Sequence, residues 1–157
     1  MKNKTLAAWL AFLGGPIGLH CFYLRGARSV LGWLLPIPTL LGLYGVERAR
    51  QLGMDDPISW ALIPLIGFTI AGCALTGIVY GLMSPEKWNA RYNAGRPQAE
   101  TEASRVGNTS WLTIGAVVLA LLVGSTVLMA SIAFSVQRYF ESQVEEGRRI
   151  AGPLDGR

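Results

Sequence analysis

His20 is the only histidine in the chain, and Cys21 follows it directly. An imidazole titrating near pH 6.5 can move a proton or bind a metal, and a neighbouring thiol could share that metal. One His and one Cys supply two ligands, below the three or four that a zinc site needs. The second cysteine, Cys73, stands alone in another apolar run, so both thiols read as small buried hydrophobes. No serine–histidine–acid set, phosphate loop or zinc signature is present, and the apolar runs carry no carboxylates. These residues predict no catalytic site, no metal site and no cofactor. His20 then reads as a structural group at a helix end. Its ring N–H would bond a carbonyl left without an intrahelical partner, or Tyr23, while Arg25 and Arg28 reach lipid head groups by snorkelling.

The elements that would position this group follow from the distribution of charge. Of 157 residues, 51% are hydrophobic and 15% charged, against roughly 25% charged in soluble domains. The charges fall between or outside four uncharged runs, 5–24, 29–46, 58–83 and 111–136. Each is long enough to cross ~30 Å of hydrocarbon at ~1.5 Å per residue. The sequence therefore predicts an all-α integral membrane bundle of four transmembrane helices. Because only Arg25–Arg28 separates the first two, they should form a tight antiparallel hairpin. Three units result: 1–50, the hairpin; 51–109, the third span with an interfacial helix and a loop; and 110–157, the fourth span with a polar tail.

The first run is the weakest of the four. Only Leu6–Leu13 is strongly apolar, and Gly14, Gly15, Pro16, Gly18 and His20 crowd its second half. It reads as an uncleaved helix that inserts together with the second. Gly14 and Gly15, with Gly77 and Gly81 in the third run, have the spacing of small-residue faces that let helix backbones approach in lipid. Pro36 and Pro38 predict a kink in the second helix.

Asp56-Pro57 and Ser84-Pro85 are helix starts, each a capping side chain followed by proline at the first helical position. The segment 85–94, with Trp88 and Tyr92 one turn apart beside Lys87 and Arg91, reads as an interfacial helix with its rings at the lipid boundary. A loop over 96–108 and a frayed tail from Gly152 complete the chain.

Residues 2–50 resemble the TM-two domain family, a membrane module of two helices joined by a short turn. The matching residues are Leu13-Gly14-Gly15, then Gly18-Leu19-His20-Cys21-Phe22-Tyr23-Leu24, then Gly32 and Leu43-Tyr44-Gly45-Val46-Glu47. The resemblance makes Gly18, His20, Phe22, Tyr23 and Arg25 the hairpin-turn motif, and implies an integral membrane protein without enzymatic activity. Two positions depart from the family pattern: Cys21 stands where an Arg usually follows the His, and Arg25 where a Gly usually follows Tyr-Leu.

Net charge is +4, but no basic stripe or stacking platform stands apart from the membrane flanks, so nucleic acid is not an expected partner. The expected partners are the lipid bilayer and either a second copy or another membrane protein. Two functions fit: a multi-pass scaffold or interaction module packing through glycine-rich faces, or a component of a small transporter or channel, with His20 and the Pro36/Pro38 kink lining a path. With four spans both termini share one side. The basic tip Lys2/Lys4 places them on the cytoplasmic side, in the plasma (inner) membrane.

Overall fold

A computed structural model describes residues 1–94 and 107–151. The described residues are helical and contain no strand. The expected loop over 96–108 lies largely outside them, and the tail from Gly152 lies wholly outside.

The N-terminal residues do not form one long helix. Helix α1 (Lys4–Gly14) starts where the Asn3 side chain accepts a hydrogen bond from the Leu6 N–H at 3.2 Å. It stops at Gly14, and a single 3-10 turn (Gly15–Ile17) follows. Gly18 then adopts φ +79°, the left-handed region that glycine enters freely, and its N–H donates back to the Gly15 carbonyl at 2.8 Å. From there α2 (Leu19–Arg25) runs back along α1. Two bonds show that it returns to its starting level. The Asn3 N–H donates to the Tyr23 hydroxyl at 2.8 Å, and the Lys2 ammonium bonds the Leu24 carbonyl. Residues 5–24, expected to make one membrane-spanning helix, therefore leave the end that carries the N-terminus and come back to it. Gly14, Gly15, Pro16 and Gly18 end a helix here, where the expectation made them a weak part of one.

Among the described residues, three helices are long and apolar enough to cross a membrane. The first combines α3 (Val30–Leu34) and α4 (Pro36–Leu52), started by the Ser29 hydroxyl, which accepts from the Gly32 N–H. Only Leu35 interrupts it, where Pro36 removes a backbone donor. The second, α5 (Pro57–Leu82), begins at the expected Asp56 cap, whose carboxylate accepts from the Ser59 N–H at 2.9 Å. The third, α7 (Trp111–Ala151), continues some fifteen residues past the apolar run that ends at Val136. Between them, α6 (Pro85–Tyr92) starts at the expected Ser84 cap.

The small residues expected at packing faces lie at close approaches, and all of those approaches are internal. A Cβ on Gly15 would overlap Cys73, one on Gly77 would press on the Ala8 carbonyl, one on Gly81 would overlap Val117, and one on Gly14 would overlap Leu19. The antiparallel α5–α7 contact adds a pattern the sequence reading missed. Gly81 meets Val117, Ala74 meets Gly124, and Gly67 meets Ser131. Each helix steps by seven residues, so a close approach with glycine on one side recurs every two turns. A scan for small residues at seven-residue spacing would have found it.

The α1–α5 register gives the depth of the N-terminal turn. Lys4 bonds the carbonyl of Met83 just past the end of α5, Ala8 lies at Gly77, and Gly15 packs on Cys73. Met83 to Cys73 is about 15 Å of helix, half the ~30 Å thickness of a hydrocarbon core.

Candidate functional site

The N-terminal tip, the end of α2 and α6 are stitched together into one end of the molecule, called here the near end. Asn93 holds Lys2 by its backbone, accepting from the Lys2 N–H at 2.7 Å and donating to the Lys2 carbonyl at 3.3 Å. Trp88 Nε1–H donates to the same carbonyl at 2.8 Å. Lys4 is fully enclosed, its ammonium donating to the Met83 carbonyl and the Thr109 hydroxyl. The Thr5 and Thr113 hydroxyls share a 2.6 Å bond that ties α1 to the start of α7.

Trp88 corrects an expectation. Its indole is 0% exposed, packed with Ala7 and Leu24 and flanked by Tyr23, Tyr80, Met83 and Tyr92. Its ring centroid lies 4.5 Å from Tyr92 and 5.8 Å from Tyr80. The aromatic face of α6 thus packs on the protein, although the pattern read as a face for lipid. Helical periodicity marks an apolar face without saying what covers it.

Below this cluster lies His20, 4% exposed. Its Nε2 is 3.3 Å from Cys21 Sγ, its ring centroid is 6.1 Å from Tyr80, and its Nδ1 is buried without a hydrogen-bond partner among the described residues. Among the described residues the expected bond from the ring to a backbone carbonyl or to Tyr23 is absent, and the Tyr23 hydroxyl instead accepts from the Asn3 N–H. His20 lines a cleft of about 420 Å³ with Leu35, Phe68, Thr69, Cys73 and Thr76. Among the described residues, no three His, Cys, Asp or Glu side chains gather as a metal site.

The rest of the turn motif is structural in contact. The Gly18 Cα faces the Gly32 carbonyl, the group freed when Pro36 removed its donor, so that a Cβ on Gly18 would overlap that oxygen. Phe22 stacks edge-on against Trp33 at 5.4 Å, and its ring fills the space beside Gly32. At the tip of the turn the Pro16 carbonyl accepts from the Thr39 hydroxyl at 3.0 Å. Thr39 was not anticipated from the sequence, since a threonine inside an apolar run carries no signal for a distant carbonyl. Arg25 is exposed.

At the far end, Arg48 makes a two-pronged ion pair with Asp56, at 2.7 and 3.1 Å, joining α4 to the start of α5. The Arg48 guanidinium, with the Ser59 hydroxyl and N–H, holds the Asp56 carboxyl well below the usual carboxylate range. Arg138 of α7 reaches Asp55 at 3.8 Å and Glu141 at 2.9 Å.

Comparison with protein-family models, curated proteins and solved structures gave no match.

Proposed function

We propose that the chain is a multi-pass membrane module with three crossings, α3–α4, α5 and α7, and a re-entrant pair, α1–α2, that enters the bilayer from the near end and turns back at mid-depth. In this reading the two termini lie on opposite sides, which replaces the four-span topology. Among the described residues the near end carries six Lys and Arg, Lys2, Lys4, Arg25, Arg28, Lys87 and Arg91, against Arg48, Arg50, Arg138, Arg148 and Arg149 at the far end, and by the positive-inside rule this excess of one places the near end toward the cytoplasm, leaving the C-terminus outside. The TM-two-like stretch 2–50 is then a variant of that module, in which the Gly-x-His-x-Phe-Tyr-Leu segment forms the returning arm.

The role we assign is that of a scaffold or interaction protein, without enzymatic activity. The observation that carries it is where the polar groups inside the spans are spent. Thr39, Thr69, Thr76 and Ser131 each donate to a carbonyl of this chain, and no carboxylate enters the apolar part of a span. A conducting path needs polar groups converging on a shared lumen. The glycine faces, expected to receive partners, are occupied within the chain, so partners would meet the large apolar side chains of α3–α4, such as Trp33, Leu40 and Tyr44, which are exposed.

A transport component is the second reading. Irregular backbone at membrane depth is tolerated where it is buried in protein or lines a cavity, and His20 with its unpartnered Nδ1 lies on such a cleft. Proton and cation flux into vesicles holding the purified full chain separates the two. The scaffold reading predicts flux equal to that of empty vesicles. Flux that disappears in His20→Gln would overturn it and establish the path.

A further inference from the structure

The two ends of the molecule treat their charges differently. Among the described residues, the far end holds Arg48, Arg50, Arg138, Arg148 and Arg149 together with Glu47, Asp55, Asp56, Glu141, Glu145 and Glu146. There, Arg48, Arg50 and Arg138 are in ion pairs. Among the described residues of the near end, Lys2, Lys4, Arg25, Arg28, Lys87 and Arg91 face a single carboxylate, Glu86. Arg25, Arg28, Lys87 and Arg91 are exposed, and none makes an ion pair among the described residues.

We infer that the near end is a binding surface for anionic phospholipid head groups, and that the far end is not. This goes beyond the scaffold reading and depends on it only for the placement of the chain in a bilayer.

Three features make lipid the occupant. First, the unpaired cations are held together. Lys2 bonds the Leu24 carbonyl, next to Arg25, and is clasped by Trp88 and Asn93 of the α6 region, which also carries Lys87 and Arg91. Second, the rim is level with the head groups. Trp33, 66% exposed, donates its Nε1–H to the Ala27 carbonyl between Arg25 and Arg28, and such amphipathic rings settle at the boundary of hydrocarbon and water. Third, one of the cations is a guanidinium beside an aromatic ring, Arg91 at 5.8 Å from the Tyr92 centroid, and a guanidinium is a planar donor suited to phosphate oxygens. A bilayer places anionic phosphates at this level, and the cytoplasmic leaflet is the anionic one.

The test is native mass spectrometry of the full chain released from micelles holding equal amounts of phosphatidylglycerol and phosphatidylcholine. The parent chain should retain phosphatidylglycerol preferentially, with the preference falling up to about fivefold for each cation removed at low salt. In Arg25→Gln/Arg28→Gln/Lys87→Gln/Arg91→Gln it should approach parity, whereas Arg148→Gln/Arg149→Gln should leave it unchanged. Raising salt should weaken it, as expected for exposed charges. Equal retention of the two lipids by the parent chain would overturn the inference and leave the unpaired cations to an acidic protein segment. So would a preference that survives in the quadruple variant or disappears in the far-end one.

Discussion

Gly18→Ala distinguishes a chain that turns back from one that runs straight, because the two geometries give effects of opposite sign. At φ +79° and ψ 13°, a Cβ costs roughly 1–2 kcal/mol from local sterics alone. The same Cβ would overlap the Gly32 carbonyl oxygen, and the only relief is for the turn to draw away from α3. A gap of ~0.5–1 Å forfeits a quarter to a half of the dispersion energy of each contact across it. The sum is a loss of roughly 3 kcal/mol or more. In a straight helix over residues 5–24, the same replacement would remove a poor helix former and stabilise the protein by about 0.5–1 kcal/mol. Gly72, helical and with open space where its Cβ would stand, provides the reference, and Gly72→Ala should gain that amount. The assay is unfolding of the purified full chain from mild detergent by titration with a denaturing one, followed by far-ultraviolet circular dichroism. A Gly18→Ala chain that shifts in the same direction as Gly72→Ala would refute the reasoning.

Three further outcomes follow, two at the near end and one at the far end. Trp88→Ala should cost about 3–5 kcal/mol, as for a large side chain deleted from a packed core, whereas Trp111→Ala, at a ring 84% exposed, should cost under 1 kcal/mol by the same unfolding assay. Trp88 left as the sole tryptophan should be shielded from both aqueous iodide and lipid-attached quenchers, and strong quenching by either would contradict its enclosure. At the far end, the folded Asp56 carboxyl titrates below its unfolded value. Its contribution to stability is therefore complete above about pH 4, the unfolded carboxylate value, and is lost as pH falls further toward its folded pKa. Thermal unfolding between pH 7 and pH 2 should show a steeper acid loss in the parent than in Arg48→Gln/Asp56→Asn, and parallel curves would contradict the pairing.

Much of the helical framework was legible because it depends on local chemistry. Asp56-Pro57 and Ser84-Pro85 start helices wherever they occur before a helix-compatible run, and the structure begins α5 and α6 there. The apolar runs 58–83 and 111–136 carry too little charge to be anything but long buried or lipid-facing helices; α5 covers the first up to Leu82 and α7 contains the second. The run 5–24 misled because a length criterion counts uncharged residues without asking whether the chain keeps its direction. The information was present in Gly14-Gly15-Pro16 and Gly18, a 3-10 turn closed by a left-handed glycine, but it specifies a reversal only when α3 and α5 offer a surface to fold against. The site was less legible. Trp88 at helical spacing could cover lipid or protein, and only the Lys2 backbone, more than eighty residues away in sequence, decides for protein. His20 was singled out for its chemistry, yet its neighbours in space, Tyr80 and Cys73, come from α5, a long-range placement that no local pattern encodes.

The central claim is that the chain enters and leaves the first apolar run on the same side. Single cysteines at Asn3, Ala27 and Gln143, in a Cys21→Ser/Cys73→Ser background, test it by labelling with a membrane-impermeant maleimide from each side of sealed vesicles. The re-entrant account predicts that Asn3→Cys and Ala27→Cys label from one side and Gln143→Cys from the other. Labelling of Asn3→Cys and Ala27→Cys from opposite sides, with Asn3→Cys and Gln143→Cys together, would restore four crossings and contradict it.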